Sequence, residues 1–286
     1  MPNGYRKSRL GPLNEFALAT ALHNRAVYLN RAGNTDQAIA TMREALGIRR
    51  RRLPETHPFL AVSIGELAVM LESTSRMREA LPLHAEAVAI MRKQPPGSEY
   101  DLGLRLNNWG VACYNLGDMA CARAKINDAI EVWAKALPAD HSSLLTARSS
   151  LAALYSRNGE LRLGEAQLRQ VIAALEAVAT AKPSANSISA LSSARNELAD
   201  NLLSQHRNAE ALALSRMRWR ELQANGNPGE TAAGALAMLA LAELANGLAQ
   251  PALAHARSAA EKAHAESPDS RREGYALMTL ARAQLA

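Results

Sequence analysis

The amino-acid sequence predicts an all-α fold, an α-solenoid of about six helix-turn-helix repeats followed by a C-terminal capping helix. Helix-forming Ala and Leu dominate a chain that is 48% hydrophobic but only 4% aromatic. Runs in which β-branched and polar residues alternate are absent, so the sequence offers little for a sheet. Residue types also recur every 42 positions, and internal repeats of such a period are typical of solenoids.

The 42-residue period holds for three kinds of position over four units. The prolines are Pro12, Pro54, Pro96 and Pro138. The turn residues are Gly33, Ser75, Gly117 and Gly159, and the small residues are Ala26, Ala68, Gly110 and Ala152. Proline has no amide hydrogen to continue a helix, so it marks the joint between successive helix pairs. Glycine favours the left-handed conformation that ends the first helix, and the small residues let paired helices approach closely.

The same register divides the chain into segments. Residues 1–16 form a lead-in or partial repeat, and residues 17–178 form four regular repeats. Residues 179–268 form two divergent repeats, because the joint at Lys182-Pro183-Ser184 lengthens one step to 47 residues. Residues 225–229 form the next joint. Residues 269–286 form a capping helix or a truncated repeat, as solenoids need polar caps for solubility.

The motif Leu106-Asn-Asn-Trp-Gly110, with small or apolar residues at 117, 122, 126 and 129, resembles the tetratricopeptide repeat (TPR). The longer period, with Pro54-Glu-Thr-His57-Pro58 in a joint, is similar to the 42-residue variant of kinesin light chains and many bacterial proteins. The resemblance implies a right-handed solenoid in which the first helix of each pair lines a concave groove. It also implies a bacterial, cytoplasmic scaffold that binds a protein or peptide.

The resemblance places the groove positions around the small residue of each first helix. They are His23, Asn24, Val27, Asn30, Arg31, Glu66, Val69, Asn107, Asn108, Val111, Tyr114, Asn115, Ser149, Ser150 and Arg157. Asparagine is a poor residue inside a helix, because its amide competes for backbone hydrogen bonds. Its donor and acceptor together suit the backbone of an extended peptide. The alternative is that these asparagines only make the surface polar.

Charge and aromatic content argue against nucleic acid as a partner. The net charge is +6, from 27 Arg and 6 Lys against 27 acidic residues, and the arginines are spread along the chain. The four arginines at 49–52 end a second helix, where we expect a solvated basic face that favours the helix C-terminus. A nucleic-acid footprint needs a longer basic stripe with interleaved aromatics. The absence of 18 consecutive apolar residues predicts no membrane span.

The titratable residues predict no enzyme, no cofactor and no metal. The seven histidines never lie three or four residues apart, the spacing that a helical metal site needs. We expect His57 and His141 to be structural and His84 to be a half-buried packing residue. Cys113 and Cys121 fall on adjoining helices, and small apolar fillers are expected rather than a redox pair. The default environment is then a reducing one.

The C-terminal half carries a more apolar set of inner positions than the N-terminal half. They are Leu203, Ala237, Met238, Leu241, Leu244 and Ala245. Such a face needs a cover, by a partner helix, by self-association or by tight curvature of the repeats. The main hypothesis is a protein-interaction scaffold. The alternative is the sensory or docking region of a larger bacterial signalling protein, a Ser/Thr kinase or a transcription regulator. An enzyme with a site hidden in the groove is a third, weaker hypothesis.

Overall fold

The computed structural model describes residues 12–224, 231–266 and 271–286, and it builds these residues from α-helices joined by turns. The thirteen helices in this part of the chain are α1 Pro12–Arg31, α2 Thr35–Arg52, α3 Pro58–Ser73, α4 Met77–Met91, α5 Glu99–Asn115, α6 Met119–Ala136, α7 Ser142–Arg157, α8 Leu161–Ala181, α9 Ala185–Ser204, α10 Asn208–Ala224, α11 Thr231–Ala245, α12 Ala249–Glu266 and α13 Arg271–Leu285. The predicted joint at 225–229 and residues 1–11 of the predicted lead-in lie outside the described residues.

The helices form two compact units, Met1–Leu137 and Pro138–Ala286. In the first unit α1 packs on α2, α3 on α4 and α5 on α6, while α3 also contacts α1 and α5. In the second unit α7 packs on α8, α9 on α10 and α11 on α12, and α13 packs on both helices of the last pair. The predicted all-α, TPR-like fold of helix pairs with a C-terminal helix is confirmed. The first helix begins at Pro12, inside the segment predicted to be a lead-in.

Each first helix ends on a residue in the left-handed backbone region. The glycines that do so have φ of +81° at Gly33, +82° at Gly117, +86° at Gly159 and +74° at Gly247. The equivalent positions of two other repeats hold Ser75 at +60° and His206 at +59°. A left-handed residue turns the next amide back toward the helix, as when Asn34 N donates to Leu29 O at 2.9 Å.

Side chains at the joints cap the helices that follow. His57 and His141 are the N-caps of α3 and α7, and each Nδ1 accepts from a backbone amide two residues on, at 3.2 Å. The expected structural role of these two histidines is thus seen in the fold. Asp118 is the N-cap of α6 and accepts from the Cys121 amide at 2.9 Å. The Asn34 side chain makes no capping bond.

The cores are built where the small repeat positions let helices meet. Ala26, Ala68 and Ala152 are fully buried, and Gly110 lies against Ile126 of its partner helix. Large apolar residues fill the space around them, including Met42, Ile64, Trp133, Leu168 and Leu202. Burying one such side chain contributes about 1.5–3 kcal/mol relative to leaving it in water. Packing of each pair therefore holds the repeat geometry in place.

Two predictions about single residues are wrong. Cys113 and Cys121 form a disulfide across the α5–α6 turn, with Cα atoms 5.7 Å apart, instead of filling space as free thiols. The short turn brings the two helix ends close enough for this bond, and the cysteine-based reason to expect a reducing compartment is lost. His84 is fully buried rather than half-buried, because its Nε2 lies 2.5 Å from Glu72 Oε1 on the neighbouring helix.

The arginines at 49–52 do not form one solvated face. Arg49 is only 4% exposed and donates to Phe59 O at 3.1 Å and to Ser63 Oγ, which ties α2 to α3. Its guanidinium also lies 5.4 Å from the centre of the Phe59 ring. Only the arginines that follow it point to the surface, where Arg50 pairs with Glu86. The prediction is therefore wrong for Arg49, which the joint after α2 encloses.

Two of the six apolar inner positions predicted in the second unit are buried by the chain itself, three are partly buried and Ala245 is exposed. Ala237 is fully buried and Met238 is 4% exposed. α11 packs against α9, α12 and α13, and Ala237 shares a core cluster with Ala276 of α13. The sequence predicts that this face needs a cover, and for these two residues helices of the chain itself, α13 among them, supply it.

Candidate peptide-binding site

One narrow stripe of α3 remains accessible although most of that helix is buried. Its other faces pack on α4, on α2 and on the neighbouring first helices α1 and α5. Between residues 60 and 73 the residues that are not buried are Val62, Glu66, Val69, Glu72 and Ser73. Steps of four, three and four residues between 62, 66, 69 and 73 place this stripe on a single helix face. The predicted residues Glu66 and Val69 lie at its centre.

The predicted positions of α1 and α5 are accessible as well. Asn24 and Arg31 are exposed on α1, while Val27 and Asn30 are partly buried. On α5, Val111 is exposed, and the partly buried residues are Asn107, Asn108, Tyr114 and Asn115. Together with the α3 stripe these residues make a surface of the first unit that we call the first-helix face.

Asparagine amides on the first-helix face have unused hydrogen-bonding capacity. Among the described residues, the side chains of Asn24, Asn107 and Asn108 have no hydrogen-bond partner. All three are accessible, so solvent or a ligand can satisfy them. The arrangement offers amide donors and acceptors from two helices of one unit, which suits a peptide backbone.

Two predicted residues are already engaged with neighbouring helices. His23 Nδ1 lies 3.2 Å from Ser63 Oγ, between α1 and α3. Burial and the nearby charge of Arg49 lower the pKa of His23, which favours its neutral form. Glu66 Oε1 lies 3.5 Å from Arg105 Nη1, which links α3 to α5. Both residues therefore help to join the first helices as well as line the face.

Arg105 is a residue of this face that sequence reasoning missed. Its side chain is only 5% exposed, and its Nε has no hydrogen-bond partner. Gly65 of α3 makes room for it, because a Cβ at that position would collide with the Arg105 guanidinium. The available sequence signal was the repeat register, which places Arg105 42 residues after Ser63. The structure shows that both positions are buried.

The predicted positions of α7 belong to the second unit and are less available. Ser150 Oγ donates to Thr146 O at 3.1 Å within its own helix. Arg157 Nη2 lies 3.5 Å from Glu197 Oε2 on α9. Burial raises the pKa of Glu197, and the charge of Arg157 opposes that rise. Ser149 is partly buried.

Two general features were also searched for in the described part of the chain. No three His, Cys, Asp or Glu side chains there lie close enough together to hold a metal ion. None of the described helices combines the length and the apolar character needed to cross a membrane.

Residues 17–93 match the family model of the tetratricopeptide repeat. No curated protein matches the chain. The nearly identical TPR-like repeats of a Podosopora anserina protein assigned as a kinesin light chain superpose with a TM-score of 0.60. That match has 22% identity and covers 74% of this chain and 98% of that one.

Two further solved structures extend over most of this chain. The apo form of RapI has a TM-score of 0.69 at 13% identity, over 93% of this chain and 97% of that chain. A signal transduction ATPase with a tetratricopeptide repeat sensor from Pyrococcus horikoshii has a TM-score of 0.66 at 14% identity, over 93% and 38%. At these identities the likeness shows the fold alone.

The family match over two helix pairs and the helix-pair fold of the remaining described residues agree with the resemblance found in the sequence. TPR repeats generally mediate protein–protein interaction. Residues 17–93 thus match the tetratricopeptide repeat, and the described chain has a TPR-like fold whose structural neighbours include kinesin light chain-like repeats.

Proposed function

We propose that the protein is an interaction scaffold that binds an extended peptide segment on the first-helix face of its first unit. The observation that carries the proposal is the single accessible stripe on the otherwise buried α3, flanked by accessible positions on α1 and α5. An extended peptide lying across three such helices would meet one set of side chains from each repeat. TPR repeats generally bind protein partners, and the described fold is consistent with that role.

The chemistry of the face favours backbone recognition over recognition of one strongly charged group. Asn24 and Asn108 present amides, Val69 and Val111 present small apolar surfaces, and Glu66 is paired with Arg105. Amides can accept from and donate to successive peptide groups, while the valines cover side chains of the peptide. The ion pair gives the centre of the face little net charge, so binding should depend only weakly on salt.

The double change Asn108→Ala and Tyr114→Ala tests the proposal. Partners would be captured from a lysate of the source organism with the wild-type chain, identified, and then rebound as purified proteins. We expect the variant to lose at least about tenfold in affinity, since truncating central interface residues costs about 2 kcal/mol or more. Helical circular dichroism should stay unchanged.

The matched control is Glu131→Ala with Lys135→Ala, because both residues are exposed on α6, the second helix of the same pair. We expect this control to bind as the wild type does. Partners that bind the Asn108 and Tyr114 variant as tightly as the wild type would rule out the first-helix face.

A second function is the sensory or docking region of a larger bacterial signalling protein. It is supported by the fold of the Pyrococcus horikoshii ATPase, whose repeats are described as a sensor and of which this chain spans 38%. Transcript mapping of the gene tests it. A transcript that joins this coding sequence in frame to a kinase or DNA-binding domain supports this function, and a separate start and stop around 286 codons contradicts it.

A further inference from the structure

We infer that a cleft between α8, α9 and α10 binds a small organic acid, with Arg195 and Arg218 facing its carboxylate. The cleft has a volume of about 350 Å³ and lies within the second unit. It is separate from the first-helix face, so the inference goes beyond the proposed function. Four observations carry it: the repeat register, the shape of the cleft, the hydrogen bonding of the arginines and the placement of two glutamates.

The two arginines stand at repeat positions that apolar residues fill in the second and third repeats. Arg218 follows Val171 by the 47-residue step, and Val171 continues the series of buried alanines Ala45, Ala87 and Ala129. Arg195 occupies the position that Ile64 and Leu106 fill in the second and third repeats, where they are 0% and 1% exposed, and that a partly exposed arginine, Arg148, fills in the fourth. Arg195 and Arg218 are nevertheless 8% and 4% exposed.

Two charges at core positions need a reason beyond folding. Moving a charged group out of water costs several kcal/mol, and apolar residues of similar volume often replace buried ion pairs without loss of stability. Departures from a local packing rule are concentrated at functional sites. Buried arginines also occur at Arg49 and Arg105, but the fifth repeat brings two of them, Arg195 and Arg218, to the lining of one cleft.

The long joint between the fourth and fifth repeats shapes the cleft. α8 has 21 residues, three more than α2 or α6, and Pro183 follows it before α9 begins. Apolar walls come from Ala179, Pro183, Ile188, Leu191 and Leu222, and the polar lining includes Ser192, Arg195 and Arg218. A volume of this size suits a small ligand, and apolar walls with a few convergent polar groups are typical of small-molecule sites.

The guanidinium of Arg195 is incompletely used inside the protein. Its Nη2 donates to Glu176 Oε1 at 2.8 Å and its Nη1 donates to Glu221, but its buried Nε has no hydrogen-bond partner. The side chain is 91% buried, since 9% of it is exposed. A buried donor without an acceptor costs about 1–3 kcal/mol, so an acceptor that enters the cleft would be stabilised.

Arg218 holds the other side of the cleft in place. Its Nε donates to Ser192 Oγ at 2.7 Å and its Nη1 to Asn196 Oδ1 at 2.5 Å. Burial, and then the charge of Arg195, lowers the pKa of Arg218 to about 10. Arg218 is therefore still positively charged at neutral pH, and the positively charged side chains of Arg195 and Arg218 both line the cleft.

The ion pairs of Arg195 with Glu176 and Glu221 indicate that the ligand is a carboxylate. Glu176 and Glu221 are 48% and 46% exposed, so water screens their charges while the arginines stay enclosed. They already place carboxylate oxygens on Arg195, in the arrangement that a ligand carboxylate would copy. A ligand that displaced Glu176 could bind the Nε and Nη2 of Arg195 as a bidentate pair. Its short aliphatic body would then lie against Ile188 and Leu191.

Isovalerate is the probe, with isovaleramide as the uncharged match, and calorimetric titration of the full chain measures binding. We expect the acid to bind and the amide not to bind. Arg195→Leu should weaken isovalerate binding at least about tenfold, because a hydrogen bond to a charged group is worth about 1.5–3 kcal/mol. Glu176→Gln should strengthen it, because a competing anion is removed.

Arg220→Leu is the matched control, since Arg220 is exposed on the same helix as Arg218. It should bind isovalerate as the wild type does. Arg195→Leu should also keep or raise the melting temperature, because other repeats hold Ile64 and Leu106 at this position. A purely structural arginine would instead lower it.

Three results would overturn the inference. The first is that the wild type does not bind isovalerate at about 10 mM, well above a millimolar dissociation constant. The second is that isovaleramide binds as tightly as isovalerate. The third is that inorganic phosphate binds more tightly than isovalerate. A second variant keeps the test valid if Arg195→Leu misfolds. Arg195→Lys retains the positive charge but lacks the planar guanidinium that binds a carboxylate through two hydrogen bonds. If Arg195→Leu does not fold, unchanged isovalerate binding by Arg195→Lys would also contradict a bidentate site.

Discussion

At the scale of single residues, the turn inside each helix pair sets the strictest backbone requirement in the chain. Six of these turns in the described residues contain a residue with φ between +59° and +86°, and four glycines reach that region without a steric penalty. A side chain there brings Cβ close to the following carbonyl, at a cost of about 1–2 kcal/mol. Ser75 and His206 have to bear that cost.

Ser75→Gly should therefore stabilise the protein by about 1 kcal/mol, which is the strain removed less the extra entropy of glycine in the unfolded chain. The reciprocal change Gly117→Ser should destabilise it by a similar amount. No atom lies within 4 Å of the position that a Cβ would take at Gly117, so only its backbone angle matters. Urea unfolding midpoints measure both effects. Equal midpoints for wild type and Ser75→Gly would show that the turn carries no strain.

These turns also show how far residue-level prediction reaches. The glycines at 33, 117 and 159 were predictable, because glycine is the residue that a left-handed helix end favours. The structure places His206 at the same point of the fifth repeat, 47 residues after Gly159. Neither its residue type nor the regular step of 42 indicates that role. Because the joint lengthens the step from 42 to 47 residues, a search with a fixed period does not find the turn position at His206.

At the scale of elements, paired helices can pack closely where a glycine leaves space for a side chain of the neighbouring helix. Gly103 of α5 faces the Trp133 ring of α6, and a Cβ at that position would overlap the indole. Trp133 is 2% exposed and its Nε1 donates to Tyr100 O at 3.0 Å, so the ring is fixed by both packing and a hydrogen bond. The ring cannot turn aside without losing that bond.

Gly103→Ala should therefore lower the free energy of unfolding by about 1–3 kcal/mol, as overpacking of a core does. Gly47→Ala is the matched control, since Gly47 lies within α2 and a Cβ added there would come no closer than 3.8 Å to another side chain, that of Arg51 at its Nη1. That change should stabilise the chain by about 0.5–1 kcal/mol, because alanine is the better helix residue. The same substitution would thus act with opposite signs. A neutral Gly103→Ala would mean that α5 and α6 can separate without loss.

The all-α fold of helix pairs was predictable, because prolines, turn residues and small residues each carry a local rule. The polar residues inside the helices were not. Arg105, Arg195 and Arg218 are charged residues that a helical pattern assigns to the surface, yet all three are buried. Their burial depends on neighbours such as Gly65 that a single sequence does not connect to them. Asn108 and Tyr114 lie on the same helix as the small residue Gly110, and their part in a peptide-binding face stays a prediction.

At the scale of the whole molecule, carboxylates whose pKa is lowered in the folded chain make its stability depend on pH. One carboxylate of the second unit stands out. Glu165 accepts from Gln205 Nε2 at 2.9 Å, from Arg207 Nη1 at 2.6 Å and from Arg169 Nε at 2.9 Å. Its side chain is 12% exposed. This network joins α8 to the turn between α9 and α10.

Glu165 should give the folded chain a specific sensitivity to acid. Burial alone would raise the pKa of Glu165, but the hydrogen bonds from Gln205, Arg207 and Arg169 outweigh it and lower the pKa to about 2. Since the folded pKa lies below the ordinary value of 4.5, the charged form stabilises the fold above pH 4.5. That contribution is lost as the pH falls from 4.5 toward 2.

The comparison of wild type with Glu165→Gln isolates this effect. Other carboxylates, such as Glu79 and Glu210, have lowered pKa values through hydrogen bonds from Arg76 and Arg207, so both proteins lose stability in acid. We expect the wild type to melt at a higher temperature at pH 7 and the difference to shrink steadily between pH 4.5 and 2. Glu131→Gln, an exposed change in the first unit, should follow the wild type at every pH. A constant difference between wild type and Glu165→Gln from pH 7 to pH 2 would mean that the charge of Glu165 contributes nothing to the fold.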